Sequence, residues 1–325
     1  MEEWTPAGLS VEELHDGESY HRALYPRGSV DVLASWHAQS SAPLVAAAAE
    51  VIEKGDVVVD YGAGSGGSAI ELLKMLDAKG IEVTLVLVDP LPSWLSNAWR
   101  VLHGRSDVHF ILSTTPVGPD GRREFLPLPY LLRGVQADVI VSSSTLHLVP
   151  QKALPGLVAQ WRQCLRPNGR LFWSSGDLQS PSRPAECALL HDPYRRVRAL
   201  VREDPSYQSA LRSMPAARAE HLEREAERVF PPSPPLGQIM AALEAEGFLG
   251  TVTGQQVPVT NEDATRFILV NRLSRIAAAV EDREARNKQL VCHLATALAE
   301  LRVGGQANEA GYRSWWSYGN QVAKG

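Results

Sequence analysis

Cysteine is scarce in this chain. Its 325 residues include three, Cys164, Cys187 and Cys292, far apart. No Cys-x-x-Cys pair and no Cys/His spacing of a metal site occurs. An odd number of scattered thiols suits a reducing cytoplasm, the compartment the sequence predicts. An excess of basic charge is also missing. With 32 Lys and Arg against 37 Asp and Glu, the net charge is −5. That argues against nucleic acid as the main partner, because phosphate binding needs a basic face. The one dense basic run, Arg195, Arg196 and Arg198 with Arg202, reads as the solvated face of a helix. No apolar run approaches the roughly 18 residues of a membrane span. Residues 1–10 lack the basic and apolar regions of a signal peptide. There is no internal repeat. Hydrophobic residues nonetheless make up 44% of the chain, ample for a packed core.

The most informative stretch is Val57-Val58-Val59-Asp60-Tyr61-Gly62-Ala63-Gly64-Ser65-Gly66. A β-branched run ends in a carboxylate and then breaks into alternating glycines. This is a buried strand turning sharply into a helix, at the sheet edge where open α/β sheets bind ligands. Gly62, Gly64 and Gly67 satisfy the dinucleotide spacing G-x-G-x-x-G. Gly62, Gly64 and Gly66, led by Asp60, satisfy D-x-G-x-G-x-G. No Lys-Ser/Thr follows, which excludes a P-loop. The leading acid separates the two remaining readings. A carboxylate at the strand end repels a pyrophosphate and attracts a cation.

The acid-led glycine alternation resembles the first motif of the class I S-adenosylmethionine (SAM) dependent methyltransferases, whose cofactor carries an ammonium and a sulfonium. Three further segments carry the resemblance in order. Val83 to Val88, closed by Asp89-Pro90, is a second buried strand with an acid at the distance from the glycines that suits ribose hydroxyls. Ala137 to Leu148 resembles the family's fourth strand, with Ser142, Ser143 and a Leu146-His147 step after it. Cys164 to Trp173 resembles its helix end, Pro-Gly-type turn and fifth strand, with Pro167 stopping the helix and Asn168-Gly169 supplying a left-handed turn. The resemblance covers residues 54–176. It implies an α/β fold: a Rossmann-like, seven-stranded, mostly parallel sheet with an antiparallel last strand and helices on both faces. It also implies SAM as cofactor, held by Asp60, Gly62, Gly64, Gly66, Asp89, Pro90, Ser113, Thr114, Ser142 and Ser143. One departure stands out. Many relatives place an Asp after the third strand, predicted here near His109 to Ser113, and this chain has Ser113, Thr114 and Thr115.

Around that core the chain divides into a helical preface (residues 1–53), a helical lid insertion (177–235) and a C-terminal part of the core (236–325) with a second helical insertion at about 261–302. Ser10 and Glu13 fit a capping box at the start of the preface. Asp192-Pro193 and Asp204-Pro205 break the first insertion, and Pro231 to Pro235 is a stiff connector. Val252 to Val259 reads as the sixth strand and Tyr312 to Ala323 as the last. The insertions follow the fifth and sixth strands, so they are expected to cover the carboxyl edge of the sheet.

Methyl transfer is an in-line displacement in which positioning supplies much of the rate. Where the nucleophile must lose a proton, a base is needed. His147, just past the fourth strand, is the first candidate, with His37 and His21 behind it. Tyr20, Tyr25, Trp36, His191 and Trp316 are candidate substrate contacts. The reading is methyl transfer to a small-molecule acceptor in a natural-product type of pathway, with no nucleic-acid or membrane partner and no metal. The alternative keeps the fold for non-methylating chemistry, a cyclisation or elimination with SAM unused or absent. A scaffold subunit that needs a partner chain is the non-enzymatic possibility, and a homo-oligomer is equally compatible with the sequence.

Overall fold

A computed structural model describes residues 3–26, 35–116 and 123–325. Its strands are β1 (Val57–Tyr61), β2 (Thr84–Asp89), β3 (Val108–Leu112), β4 (Ala137–Ser143), β5 (Leu165–Ser175), β6 (Phe248–Thr260) and β7 (Gly311–Ala323). The helices are α1 (Val11–Leu24), α2 (Trp36–Ala49), α3 (Gly67–Ala78), α4 (Pro92–Leu102), α5 (Leu128–Leu132), α6 (Leu154–Cys164), α7 (Asp192–Glu203), α8 (Pro205–Arg212), α9 (Ala216–Val229), α10 (Leu236–Ala245), α11 (Asn261–Ile268) and α12 (Arg283–Val303). The seven strands form one sheet in the order β3-β2-β1-β4-β5-β7-β6. Strands β1 to β5 pair in parallel, and β7 runs antiparallel to both its neighbours. This is the Rossmann-like fold with an antiparallel last strand that the sequence predicts.

The apolar runs are continuous because both faces of the sheet are covered. Val58, Leu85, Leu87, Val141 and Phe172 point into one core, shared with α1 to α4 and the inserted helices. Val59, Val86, Val88, Ile140, Leu171 and Trp173 point into the other, shared with α5, α6 and α10. The order reverses between β1 and β4, and a crevice opens outside their carboxyl ends.

Local chemistry sets the boundaries. The Ser10–Glu13 capping box opens α1: the Ser10 amide donates to Glu13 Oε2 at 2.9 Å, and the Glu13 amide donates to Ser10 Oγ at 3.2 Å. Both Asp-Pro pairs mark helix starts. Asp204 caps α8 by accepting from the Ser206 amide at 2.8 Å, and Pro193 sits in the first turn of α7, where no amide proton is needed. Helix α6 already ends at Cys164, and β5 begins at Leu165. Asn168, at φ +63°, lies where the β4–β5 register shifts between Ala137 and Val139, so the left-handed turn sits inside the strand's irregular start. Strand β6 is longer than the predicted segment, because β7 pairs with it along its whole length from Phe248 to Thr260.

The basic run of α7 is a solvated face only in part: Arg196 is exposed and Arg202 half-buried, whereas Arg195 turns inward. Arg195 forms a two-bonded pair with Asp177 at 2.9 Å for each nitrogen, and Arg196 meets Glu300 at 2.7 Å. Arg198 donates to the Ala226, Glu227 and Phe230 carbonyls, and Arg202 pairs with Glu223 and Glu227. Each guanidinium finds its acceptor in an element that the sequence does not mark as adjacent. Among the described residues, no helix is long and apolar enough to cross a membrane.

Candidate active site

A cleft of about 440 Å³ lies at the carboxyl ends of β1, β2 and β4. Its floor is the glycine turn between β1 and α3. Gly62 has φ +79° and Gly66 φ +83°, a region that side chains disfavour. At Gly66 a Cβ would also stand 2.7 Å from that of Ala98, so glycine is what allows α3 and α4 to approach here. At Gly62 a Cβ would collide with the Thr145 side chain on the β4 side of the cleft.

Asp89 ties this floor together. Its Oδ2 accepts from the Gly64 amide at 2.7 Å and its Oδ1 from the Leu91 amide at 2.8 Å. Each oxygen keeps a second lone pair, and the residue lines the cleft. Asp60 is different. It is 2% exposed and lines the cleft, and its Oδ2 has no partner. Burial, reinforced by the charge of Asp89, pushes its carboxyl up to about 7. Burial also raises Asp89, to about 6, against the pull of its two amide bonds and of Arg272. Two further unpartnered polar atoms belong to the lining, Trp94 Nε1 and Ser144 Oγ. Ser144 stands at φ +57°, a strained conformation for a non-glycine residue, where β4 ends. Buried polar atoms are normally satisfied, so orphans gathered in one cleft point to a polar ligand.

Preface helices α1 and α2 supply the outer wall. Tyr20 stacks on Trp94 with ring centres 3.7 Å apart and planes 3° from parallel. Both line the cleft, as does His37, whose Nδ1 lies 2.8 Å from the Tyr25 hydroxyl. Burial, with a smaller contribution from His21, pushes His37 down to about 3. His21 Nδ1 meets Ser65 Oγ at 3.0 Å and, with Tyr25, borders a smaller cavity behind the glycine turn.

The structure brings together Asp60, Gly62, Gly64, Asp89, Pro90, Ser113, Ser143, Tyr20 and His37 in the cleft lining. Gly66, Thr114 and Ser142 support it from behind. Gly66 precedes α3, Thr114 Oγ1 donates to the Pro90 carbonyl at 3.2 Å, and Ser142 Oγ donates to the Tyr61 carbonyl at 2.9 Å. The remaining candidates lie in the interior beside β5 and β7. His147 is buried in the short 3₁₀ turn after β4, its Nδ1 2.9 Å from Ser175 Oγ, and burial together with His191 pushes it down to about 3. His191 faces Asp177 rather than its sequence neighbour Asp192, with Nδ1 3.1 Å from Asp177 Oδ2 and its ring 5.0 Å from that of His147. Trp36 packs edge-on against His37 and Phe267, and Trp316 lies 6.2 Å from Trp36. Among the described residues, none from 177–303 lines the cleft. The two insertions spend their apolar faces on each other: Leu290, Leu294 and Leu298 of α12 share a core with Val197 and Val201 of α7. Sequence reasoning passed over Trp94, Ser144 and the Asp177–Arg195 pair. Trp94, five residues past Asp89, is the one whose position in the sequence could have revealed it.

The comparisons with known proteins agree with this geometry. A family model described as "Methyltransferase domain" matches residues 33–228. The cyclopropane synthase MmaA2 of Mycobacterium tuberculosis superimposes with a TM-score of 0.51 at 14% identity, covering 96% of this chain and 94% of that one. The YcgJ protein of Bacillus subtilis gives a TM-score of 0.51 at 16% identity, covering 89% of this chain and 100% of that one. A search of curated protein sequences finds no match. The chain belongs to the class I SAM-dependent methyltransferase family.

Proposed function

We propose that the chain binds SAM in this cleft and transfers its methyl group to a small-molecule acceptor. The observation that carries the reading is the unpartnered, buried carboxylate oxygen of Asp60. A buried anion is costly unless it is paired, and the cleft offers Asp60 no cation of its own. An ammonium-bearing ligand removes that cost. When bound, SAM supplies an electrophilic methyl group on a sulfonium. Asp60 holds the ammonium, and the free lone pairs of Asp89 suit the vicinal ribose hydroxyls. The glycine turn lets the backbone approach, and Tyr20 and Trp94 close the wall and exclude water.

The acceptor class follows from what lines the cleft. Apart from Asp60 and Asp89 the lining is neutral and largely apolar or aromatic, with Leu24, Leu91, Phe125, Leu148 and Leu157 among its residues. That suits a small organic molecule, as in a natural-product pathway. The arginine run of α7, spent on internal acceptors, offers little to a nucleic acid. Three free cysteines fit a cytoplasmic setting.

One observation favours the non-methylating alternative. The Thr114 hydroxyl is already spent on the Pro90 carbonyl, which leaves Ser113 as the lining residue of that segment. Calorimetry with SAM and S-adenosylhomocysteine decides the matter. Binding by the wild type is expected, and Asp89→Ala should weaken it by about 1–3 kcal/mol through lost charged hydrogen bonds. Binding to neither ligand would end the SAM reading. Binding of SAM without transfer of label to any acceptor, together with product formation in its absence, would favour the alternative.

A further inference from the structure

We propose that the chain forms a two-fold dimer in which β6 pairs antiparallel with β6 of a second copy, centred on Val252, so that the two sheets become one. The two edges of the sheet are finished differently. Strand β3, at one edge, has five residues, and the Trp4 amide donates to its Phe110 carbonyl at 2.8 Å. Strand β6, at the other edge, has 13, and among the described residues no strand pairs on its outer side. The groups on that side can be assigned. The Lys324 amide donates to the Gly247 carbonyl at 3.1 Å and the Asn261 amide to the Ala310 carbonyl at 2.9 Å. The register between them is unbroken, so the odd-numbered residues of β6 bond to β7. The even-numbered residues turn their amides and carbonyls outward. Thr260 shows this directly: its amide donates away from β7, to Asp263 Oδ2 at 3.3 Å. Pro258 takes an outward position too, where its missing amide proton costs the sheet no bond. Finally, β6 carries no charged residue from Phe248 to Thr260. Edges that must stay single are commonly guarded by a lysine or another charge.

The register follows from the same residues. Pro258 offers no donor, so full pairing runs from Phe248 to Gln256, with Val252 at the middle. About a two-fold axis there, Val252 meets its own copy, Gly250 meets Gly254 of the second copy, and Phe248 meets its Gln256. Each such pair exchanges two backbone hydrogen bonds, about ten in all. Between them Thr251 stands opposite Thr253 of the second copy, a favourable cross-strand pair. Both threonines are exposed in the single chain. The cleft lies at β1, β2 and β4, with β5 and β7 between it and β6, so each copy keeps its own cleft clear of the interface. Strand pairing buries less area than an obligate interface, so the dimer is reversible, half associated on the order of 10 μM.

The test is sedimentation of the full chain over about a hundredfold range of concentration around that value. The wild type should pass from monomer to dimer. Thr251→Lys with Thr253→Lys sets lysine opposite lysine and should weaken association at least a hundredfold. Thr251→Lys with Thr253→Glu sets lysine opposite glutamate, but only in the register centred on Val252, and should dimerise within threefold of the wild type or more tightly. In the two neighbouring registers the new lysine or the new glutamate would face its own copy. Amide exchange on the wild type gives a second readout. The Gly250, Val252, Gly254 and Gln256 amides should exchange freely in dilute protein and slow at least tenfold in concentrated protein, while the odd-numbered amides stay protected in both. A wild type that remains monomeric over the range would overturn the proposal. So would a dimer that survives the double lysine variant, or a lysine–glutamate variant that associates no better than it. Outward amides protected at every concentration would give the edge to another part of the same chain and overturn it equally. The exchange measurement needs no variant and stands even if the variants fail to fold.

Discussion

Asp60 and Asp177 are both buried aspartates at the carboxyl edge of the sheet, yet their protons are held in opposite ways. Asp177 is fully buried, and burial alone would raise it. The His191 ring and the two-bonded Arg195 guanidinium overcome that and hold it far below the ordinary carboxylate range. Asp60, at the end of β1, has burial and the charge of Asp89 against it and nothing to offset them, so it rises to about 7. The two sites show how one residue type serves two ends. The interior one is complete within the chain and fixes where α7 docks. The one in the cleft is left incomplete, and that incompleteness marks a place for something from outside.

The comparison can be broken most severely at Asp177. Replacing it by Asn leaves Arg195 and the rings of His191 and His147 without their anion, and should cost about 3–5 kcal/mol, read as a lower midpoint in denaturant. An Asp177→Leu, Arg195→Met pair should recover much of that loss; equal damage in the pair would show that packing, not charge, was lost.

Next in size is the effect at Asp60. A carboxyl raised in the folded state favours folding when protonated; its contribution is full below the unfolded value of about 3.9 and is lost progressively as pH rises from there to about 7. Asp177 has the opposite sign. Its contribution is present above the unfolded carboxylate value of about 3.9 and is lost as pH falls below it. As far as these two groups decide, the unliganded protein should therefore be most stable near pH 4 and lose stability steadily from there to about pH 7, and melting curves from about pH 3 to 8 check this. Asp60→Asn should raise stability at pH 8 by an amount on the order of a few kcal/mol, read as a higher melting point, and flatten the loss of stability toward high pH. It should also weaken SAM at least tenfold. Added SAM should reduce that same loss in the wild type, because a cation beside Asp60 lowers its proton affinity again.

The smallest expected effect sharpens the comparison at Ser144. Glycine there relieves the left-handed strain and should stabilise the fold by about 1 kcal/mol while removing the orphan hydroxyl. A destabilised Ser144→Gly protein would mean that the hydroxyl is satisfied by water or serves the fold.

What could be read from the sequence divides along the same line. The strands were legible because continuous β-branched runs have few other uses, Asp60 and the glycines because a single turn fixes their spacing, and Asp89 because it closes the next apolar run. The capping box was legible for an equally local reason, whereas the antiparallel direction of the last strand came only from the family resemblance. The Asp177–Arg195–His191 group was not legible, because its members are 14 and 18 residues apart and meet only once α7 folds back onto β5. The role of the insertions was also hidden. Their length says that they must bury something, but not that α7 and α12 would bury each other, away from the cleft. Which histidine faces the cleft depends on the rotation of α2, which carries apolar or small residues nearly all round and so gives no orienting stripe.

The position of β7 has a consequence for the order of assembly. It lies between β5 and β6, so β6 has no place in the sheet until β7 has taken its own. During synthesis the first five strands and their crossover helices can associate as they emerge, but β6 must wait as a solvent-exposed ribbon until translation has passed Ala323. The fold therefore closes like a zip drawn from its far end, and the interval before closure is when an unpaired Phe248–Thr260 segment is most open to capture by other chains.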